Sequence, residues 1–466
     1  MHKKLLINQS AEFFFFSIVR KLNYAVLFCF FLLWIASLTK TSFFAVDYGF
    51  LKLYWKDLNL ESGNTGNAGR YIVNIFFAFG TTIFGSGSAI PFEVISGSLL
   101  LAGLWLIAKS TSEKSHENLW SLQIFTIVTV FGGTLPLLLW SAGITHTGAI
   151  FFTGLSLFTF RKSKAVSNPN SEFLLVVVSG IFGIFVIVSN PLYVGVLVIS
   201  IFHIFDFSRN ALSTPDPKIK VKVFVVSTFG AIIPLAYFFL IAYPVTTKMT
   251  PYSKSGIKYI KNNIDNYANS LFWTSIVKSF FILICLSSLI LALLIFRRNQ
   301  KAIAYFLAAA MTFGAILVQG QQQAVFYLVL PFILMLTSLK ISFGDRQFLG
   351  PYLFSIFLFL FLIATIISGS RINSYFSSEP WGYKLKPLIS EIEKVVAPGK
   401  NLFICFIGSQ SQYSKFVASY SGTSAFEIPP IKAATVMLAN NSCAPQDGFI
   451  AIEVSETDSG FYSKDK

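Results

Sequence analysis

The chain has 466 residues, of which 54% are hydrophobic and only 12% charged, with a formal net charge of +15. Soluble globular chains carry about a quarter charged residues, so this composition excludes an ordinary soluble domain. It also sets nucleic acid aside as a partner, because in so apolar a chain basic residues first report membrane orientation.

Apolar runs of about 20 residues recur almost to the last fifth of the chain, each long enough to cross a hydrocarbon core of roughly 30 Å as a helix. Lipid cannot satisfy open backbone groups, so helices are expected. A β-barrel would need short alternating strands, whereas 173–188 is apolar on every face. The expected fold is an α-helical polytopic membrane protein of about 9–11 transmembrane helices with a small C-terminal α/β domain.

In chain order, 22–38 is the first span, read as a retained anchor because no small-residue cleavage site follows it. A polar first loop, 39–70, leads to 71–84, which is too short to span and fits an interfacial or re-entrant helix. Spans follow at 88–107, 119–135 and 141–160, then a hairpin of 173–189 and 192–207 turned at Asn190-Pro191. The seventh is 223–243. In the next loop, 244–270, Ile257, Ile260, Ile264, Tyr267 and Leu271 recur at helical spacing opposite Lys258, Lys261 and Asp265, which predicts an amphipathic surface helix. The last spans are 272–296, 302–318, 324–338 and 351–367, with 340–346 as a basic loop between the final two.

The N-terminus and alternate loops hold 18 Lys and Arg against 8 on the other side, outside the tail. The basic set is expected to face the cytoplasm. The first loop, the 244–270 loop and the tail then face outward. Residues 1–369 form the expected transmembrane domain and 370–466 a periplasmic domain with helices at 381–396 and 412–419 and strands at 401–407, 434–438 and 448–454. Of four cysteines, Cys405 and Cys443 lie in this tail and are expected to pair.

Ionisable residues inside spans are costly and therefore informative. Glu93 and His146 lie near outer span ends, Lys278 lies about 10 Å within its span, and His203 and Asp206 lie at an inner end. Each has a plain alternative: a snorkelling Lys278, a hydrogen-bonded structural His146, a Glu93 that complements a helix dipole. The first loop is more concentrated. It carries Asp47, Asp57, Glu61 and Arg70 among aromatic residues beside the membrane. Asp47 is placed to act as a general base for a hydroxyl nucleophile, and the planar fork of Arg70 suits a phosphate. Asp57 and Glu61, four apart, fit a solvated helix face equally well. No metal-ligand spacing, DxD or glycine-rich phosphate loop occurs, and no nucleotide-sugar Rossmann domain. An outward site without cytoplasmic nucleotides needs an activated substrate carried in the membrane, which polyprenyl-phosphate sugars supply.

The outer loop opening on Val46-Asp47-Tyr48, the later Asn67-Ala68-Gly69-Arg70-Tyr71, the re-entrant stretch and the outer C-terminal domain resemble the phage-type serotype-converting (Gtr) O-antigen glucosyltransferases. These are similar in architecture to the GT-C membrane glycosyltransferases. The motif match covers roughly 44–110. The paired aspartates that the family often shows read Asp47-Tyr48 here, which leaves open whether Asp57 or Glu61 supplies a second carboxylate. The resemblance implies transfer of a glucosyl or related hexosyl unit from undecaprenyl phosphate to lipopolysaccharide O-antigen in the periplasm. Asp47 would take the hydroxyl proton, Arg70 and Lys278 would hold the phosphate, and Glu93, His146 and Lys258 would line the cavity. No cofactor is required by this chemistry, and a divalent cation stays open. Two other readings stand beside it: an O-antigen polymerase or ligase, and a lipid-linked sugar transporter or flippase. The first would put several arginines on a late outer loop, whereas 244–270 has four lysines and no arginine. The second would put paired broken helices and polar groups near mid-membrane, which the sequence does not display.

Overall fold

The computed structural model describes residues 2–38, 71–85, 89–112, 115–211, 218–243, 256–271, 299–318, 325–344, 354–366, 388, 401–407, 433–439, 449–457 and 460–463. The helices are α1 (His2–Leu38), α2 (Tyr71–Phe84), α3 (Ile90–Lys109), α4 (Ser115–Thr129), α5 (Thr134–Leu138), α6 (Ile144–Lys164), α7 (Pro169–Ser189) and α8 (Leu197–Ala211). They continue with α9 (Lys218–Ala242), α10 (Lys258–Leu271), α11 (Gln300–Leu317), α12 (Val329–Gly344) and α13 (Phe354–Ile366). Among the described residues seven helices are long and apolar enough to cross a membrane. The protein is an α-helical, multi-pass membrane protein. The predicted span at 272–296, with Lys278, lies outside the described residues, as does the whole first loop.

Local chemistry sets the helix ends. Pro91 opens α3 with Glu93 in its first turn and Lys109 in its last, complementing the dipole at both ends. Asn168 caps α7 by accepting the Asn170 N–H at 2.9 Å, ahead of Pro169. Asn299 caps α11 through the Ala302 N–H at 3.1 Å. The predicted single span 119–135 is broken: α4 ends, Thr134 N–H turns back to Phe131 O at 2.8 Å across Gly132-Gly133, and α5 begins. Within α9, Pro234 removes a backbone donor, and the chain runs in wide π turns at Thr228–Ile232 and Phe238–Ala242 on either side of it.

The bundle core forms around fully buried Trp120, Tyr193, Tyr305 and Phe354. Small residues let α3 and α6 touch. A Cβ on Gly154 would stand 2.7 Å from Gly103 O, and one on Gly103 would stand 2.7 Å from the Phe151 backbone, so glycine at both permits this approach. The Ser96 and Thr147 hydroxyls, 2.9 Å apart, extend the same seam.

The predicted 71–84 helix is α2. Its 14 residues reach about 21 Å, short of the roughly 30 Å hydrocarbon core. It packs Phe76, Phe77 and Phe84 around Phe92 at the start of α3. The amphipathic helix appears as α10, tied down where Gly256 N–H meets Val318 O and Asn263 Nδ2 meets Leu317 O, both at 2.8 Å.

The basic loop expected at 340–346 needs correction. Lys340 lies within α12 and is 1% exposed. Its ammonium donates to Ala108 O at 2.9 Å and to the Ser112 and Ser121 hydroxyls.

In the tail, β1 (Asn401–Ile407), β2 (Ala433–Ala439), β3 (Phe449–Thr457) and β4 (Gly460–Ser463) form a sheet of order β2-β1-β3-β4. Strands β1 to β3 run parallel, with Cys405 opposite Met437 and Glu453, and β4 returns antiparallel. The three predicted strands are present, β1 with the predicted ends and β2 and β3 with ends moved by one to three residues, and β4 was not expected. Leu402 to Phe406 are buried on both faces, as a central parallel strand requires. Cys405 is disulfide-bonded. Its expected partner, Cys443, and the predicted tail helices other than Leu388 lie outside the described residues.

Candidate functional site

At the Asn190 end of the bundle, polar side chains converge from four segments. His146 sits on the first turn of α6 and is 1% exposed. Its Nδ1 lies 2.9 Å from Tyr193 Oη and 3.0 Å from Asn190 Nδ2. Asn190 ends α7 and starts a 3-10 turn over Pro191–Val196, its Oδ1 accepting the Leu192 N–H at 3.2 Å. That turn can press against α11 because Gly195 has no Cβ, which would stand 2.5 Å from Ala308 O.

Aromatic rings enclose the imidazole. Tyr327 meets it edge-on at 4.4 Å, Phe326 at 4.9 Å and Trp140 at 6.4 Å between centroids. The Ser96–Thr147 pair adjoins His146 on one side, and Glu93, one turn before Ser96, is buried at the start of α3. Asn74 on α2 and Ser141 just before α6 are also buried.

Both ends of the first loop are pinned to this layer. On the entry side, Trp34 Nε1 donates to Leu138 O at 3.3 Å, and its ring lies against Gly97. On the exit side, Ile72 packs 3.8 Å from where a Gly148 Cβ would stand, next to Ser189 Oγ at 3.6 Å. Ile72 follows Arg70 by two residues, Gly148 follows His146 by two, and Ser189 adjoins Asn190.

Of the sequence-predicted site residues, the structure brings Glu93 and His146 into one polar layer. Lys258 is exposed on α10, its ammonium 5.1 Å over the Tyr259 ring. Asp47, Asp57, Glu61, Arg70 and Lys278 lie outside the described residues. His203 and Asp206 belong to the opposite end: His203 stacks on Phe160, and Asp206 pairs with Lys164 at 3.1 Å.

Sequence reading missed Asn190 and Tyr193 as partners of His146, taking Asn190-Pro191 only as a turn. It also passed over Asn74 and Trp140. The available signal was a set of polar residues at one end of otherwise apolar runs.

Two solved structures are similar to this chain in fold. ArnT from Cupriavidus metallidurans in the apo state gives a TM-score of 0.49 at 11% identity, covering 94% of this chain and 92% of that one. ArnT from the same organism bound to undecaprenyl phosphate gives 0.48 at 11% identity, covering 93% of each chain. No family model matches the chain. No curated protein matches it in sequence.

Proposed function

We propose that this chain is a GT-C-like membrane glycosyltransferase. It moves a glucosyl or related hexosyl unit from an undecaprenyl-phosphate carrier to a sugar hydroxyl of lipopolysaccharide O-antigen, on the periplasmic side of the bacterial inner membrane. The observation that carries this reading is the anchoring of both flanks of the first loop, which carries Asp47, Asp57, Glu61 and Arg70, to the layer that holds His146, Asn190 and Glu93. Asp47 follows Leu38 by nine residues, a reach of at most about 30 Å.

In the reaction, the acceptor oxygen attacks the anomeric carbon as the bond from that carbon to the phosphate oxygen breaks. Asp47 takes the hydroxyl proton, with Asp57 or Glu61 as the second carboxylate. Arg70 and Lys278 hold the lipid phosphate as it leaves, and Lys258 adds positive charge at the mouth. The sidedness is supported by the Lys and Arg bias and by the disulfide at Cys405, a bond that persists in oxidising compartments.

The test is the mass of lipopolysaccharide repeats from cells with and without the gene. A hexose increment per repeat is expected, and a change of chain length alone would point to a polymerase instead. Asn at position 47 keeps the shape of Asp but cannot take the proton, so Asp47→Asn should lower transfer about 10²–10⁴-fold. Wild-type transfer by Asp47→Asn, Asp57→Asn and Glu61→Gln alike would remove the first loop from the chemistry.

A further inference from the structure

The basic groups at the Lys340 end of the bundle fall into two sets. On the side of α7 and α8 they are matched: Lys164 pairs with Glu172 at 3.3 Å and with Asp206 at 3.1 Å, and Lys222 donates to Asn170 Oδ1 at 2.9 Å. Where α3, α6, α11 and α12 converge, positive charge is left over. Hydrogen bonds bring four basic residues to this corner. Lys340 donates to the carbonyl of Ala108, the residue before Lys109, and Arg161 Nη1 donates to Lys109 O at 2.7 Å. Ser338, two residues before Lys340, donates through Oγ to Ala302 O at 2.7 Å, which brings in Lys301. Arg161, Lys301 and Lys109 all stand within electrostatic reach of Lys340, against the carboxylate of Glu117.

Like charges gathered at a water-poor boundary repel unless an anion joins them. The Lys340 ammonium has three acceptors inside the protein, so it contributes field and not a contact. Lys109 and Arg161 are half-buried. Arg161 spends one N–H of its five-donor fork on the last carbonyl of α3, and the Lys109 ammonium lies 5.3 Å over the Trp105 ring. Among the described residues no acidic side chain pairs with either.

Their depth gives the class of the anion. α3 is a 20-residue apolar helix whose last residue is Lys109, and Arg161 lies in the last turn of α6, which packs on α3 through Gly103 and Gly154. A basic side chain in the last turn of a span stands at the level of the lipid phosphates, where basic pockets between helices bind acidic headgroups. A phosphodiester presents two oxygens to a guanidinium fork and a negative charge to an ammonium.

We infer that the corner between α3 and α6 is a binding site for one acidic phospholipid of the adjoining leaflet, its phosphate held by Arg161 and Lys109 while Lys340 and Lys301 supply the field. This site lies at the opposite end of the bundle from His146 and does not depend on the transferase reading.

The test uses the full chain in nanodiscs of phosphatidylcholine containing phosphatidylglycerol with the same acyl chains, the lipids retained on release being counted by native mass spectrometry. Wild type should retain one phosphatidylglycerol in preference to phosphatidylcholine. Lys109→Gln leaves the bond from Arg161 to the α3 carbonyl in place and should weaken that retention about fivefold. Arg161→Lys keeps the charge without the fork, so it should retain more than Arg161→Gln and less than wild type. Lys162→Gln, exposed on the same helix outside the corner, should retain as wild type does. Equal retention of the two lipids by wild type, or wild-type retention by Lys109→Gln, overturns the inference, and the lysine variant carries the test should Arg161→Gln not fold. An equal loss in Lys162→Gln also overturns it, because the attraction of any basic surface to an acidic membrane would then suffice. So does displacement of phosphatidylglycerol by inorganic phosphate at matched concentration, which would make the corner a site for free anions.

Discussion

A buried ammonium is tolerated in an apolar bundle when each of its N–H groups finds an acceptor. Lys340 meets that condition with three: Ala108 O near the end of α3 and the hydroxyls of Ser112 and Ser121. Ser121 Oγ in turn donates to Glu117 O at 2.8 Å, so one side chain joins α12 to the whole connection between α3 and α4. Lys340→Met keeps most of the volume but leaves the Ala108 carbonyl without this donor inside the protein. A loss of about 1–3 kcal/mol is expected, read as a lower Tm of the purified protein. An unchanged Tm would mean that the two serines and the carbonyl satisfy one another without the lysine. At the other end His146, Asn190 and Tyr193 occur together because Asn190 Nδ2 and Tyr193 Oη both meet His146 Nδ1.

The seam between α3 and α6 fixes where those residues stand. Gly103 and Gly154 allow backbone contact, and the Ser96–Thr147 bond lies two turns from them along α3. Because Glu93 and His146 ride on the first turns of these two helices, their separation depends on the seam. Gly154→Leu would drive a side chain into the Gly103 carbonyl and the Leu106 side chain. Overpacking of this kind costs typically about 1–3 kcal/mol. We expect a lower melting temperature together with reduced transfer, whereas substitution at Phe79, exposed on the outer face of α2, should change neither. Reduced Tm with full transfer would mean that the polar layer is held by other contacts.

For the whole molecule, the helices sort their polar ends consistently. Lys109, Arg161 and Lys340 meet at one end, where Arg161 donates to Lys109 O at 2.7 Å, and His146, Asn190 and Trp140 meet at the other. With basic residues inside, a cysteine at position 258 should react with an impermeant reagent on intact cells, and one at position 162 should not. The reverse pattern would turn the whole bundle over and carry the first loop, and the proposed chemistry, to the cytoplasmic side.

Much of the fold was legible because it is local. Run length gives the spans, since a helix must cover the hydrocarbon thickness. Asn190-Pro191 marks the hairpin turn, and the run 401–407 marks a strand, whereas the starts at Pro169, capped by Asn168, and at Ile90-Pro91 were read as 173 and 88. The first loop, read as charge concentrated beside a membrane, lies outside the described residues. Partners were not legible. His146 bonds residues 44 and 47 positions away, and Lys340 bonds one 232 positions away, and nothing in either neighbourhood of the chain names them. The break at Gly132-Gly133 and the added strand β4 were likewise not read from the chain. Sequence by itself determined which segments leave water, because apolar transfer is summed along the chain. Only the tertiary structure decided which buried polar groups meet, because a hydrogen bond requires its two atoms within about 3 Å and in line.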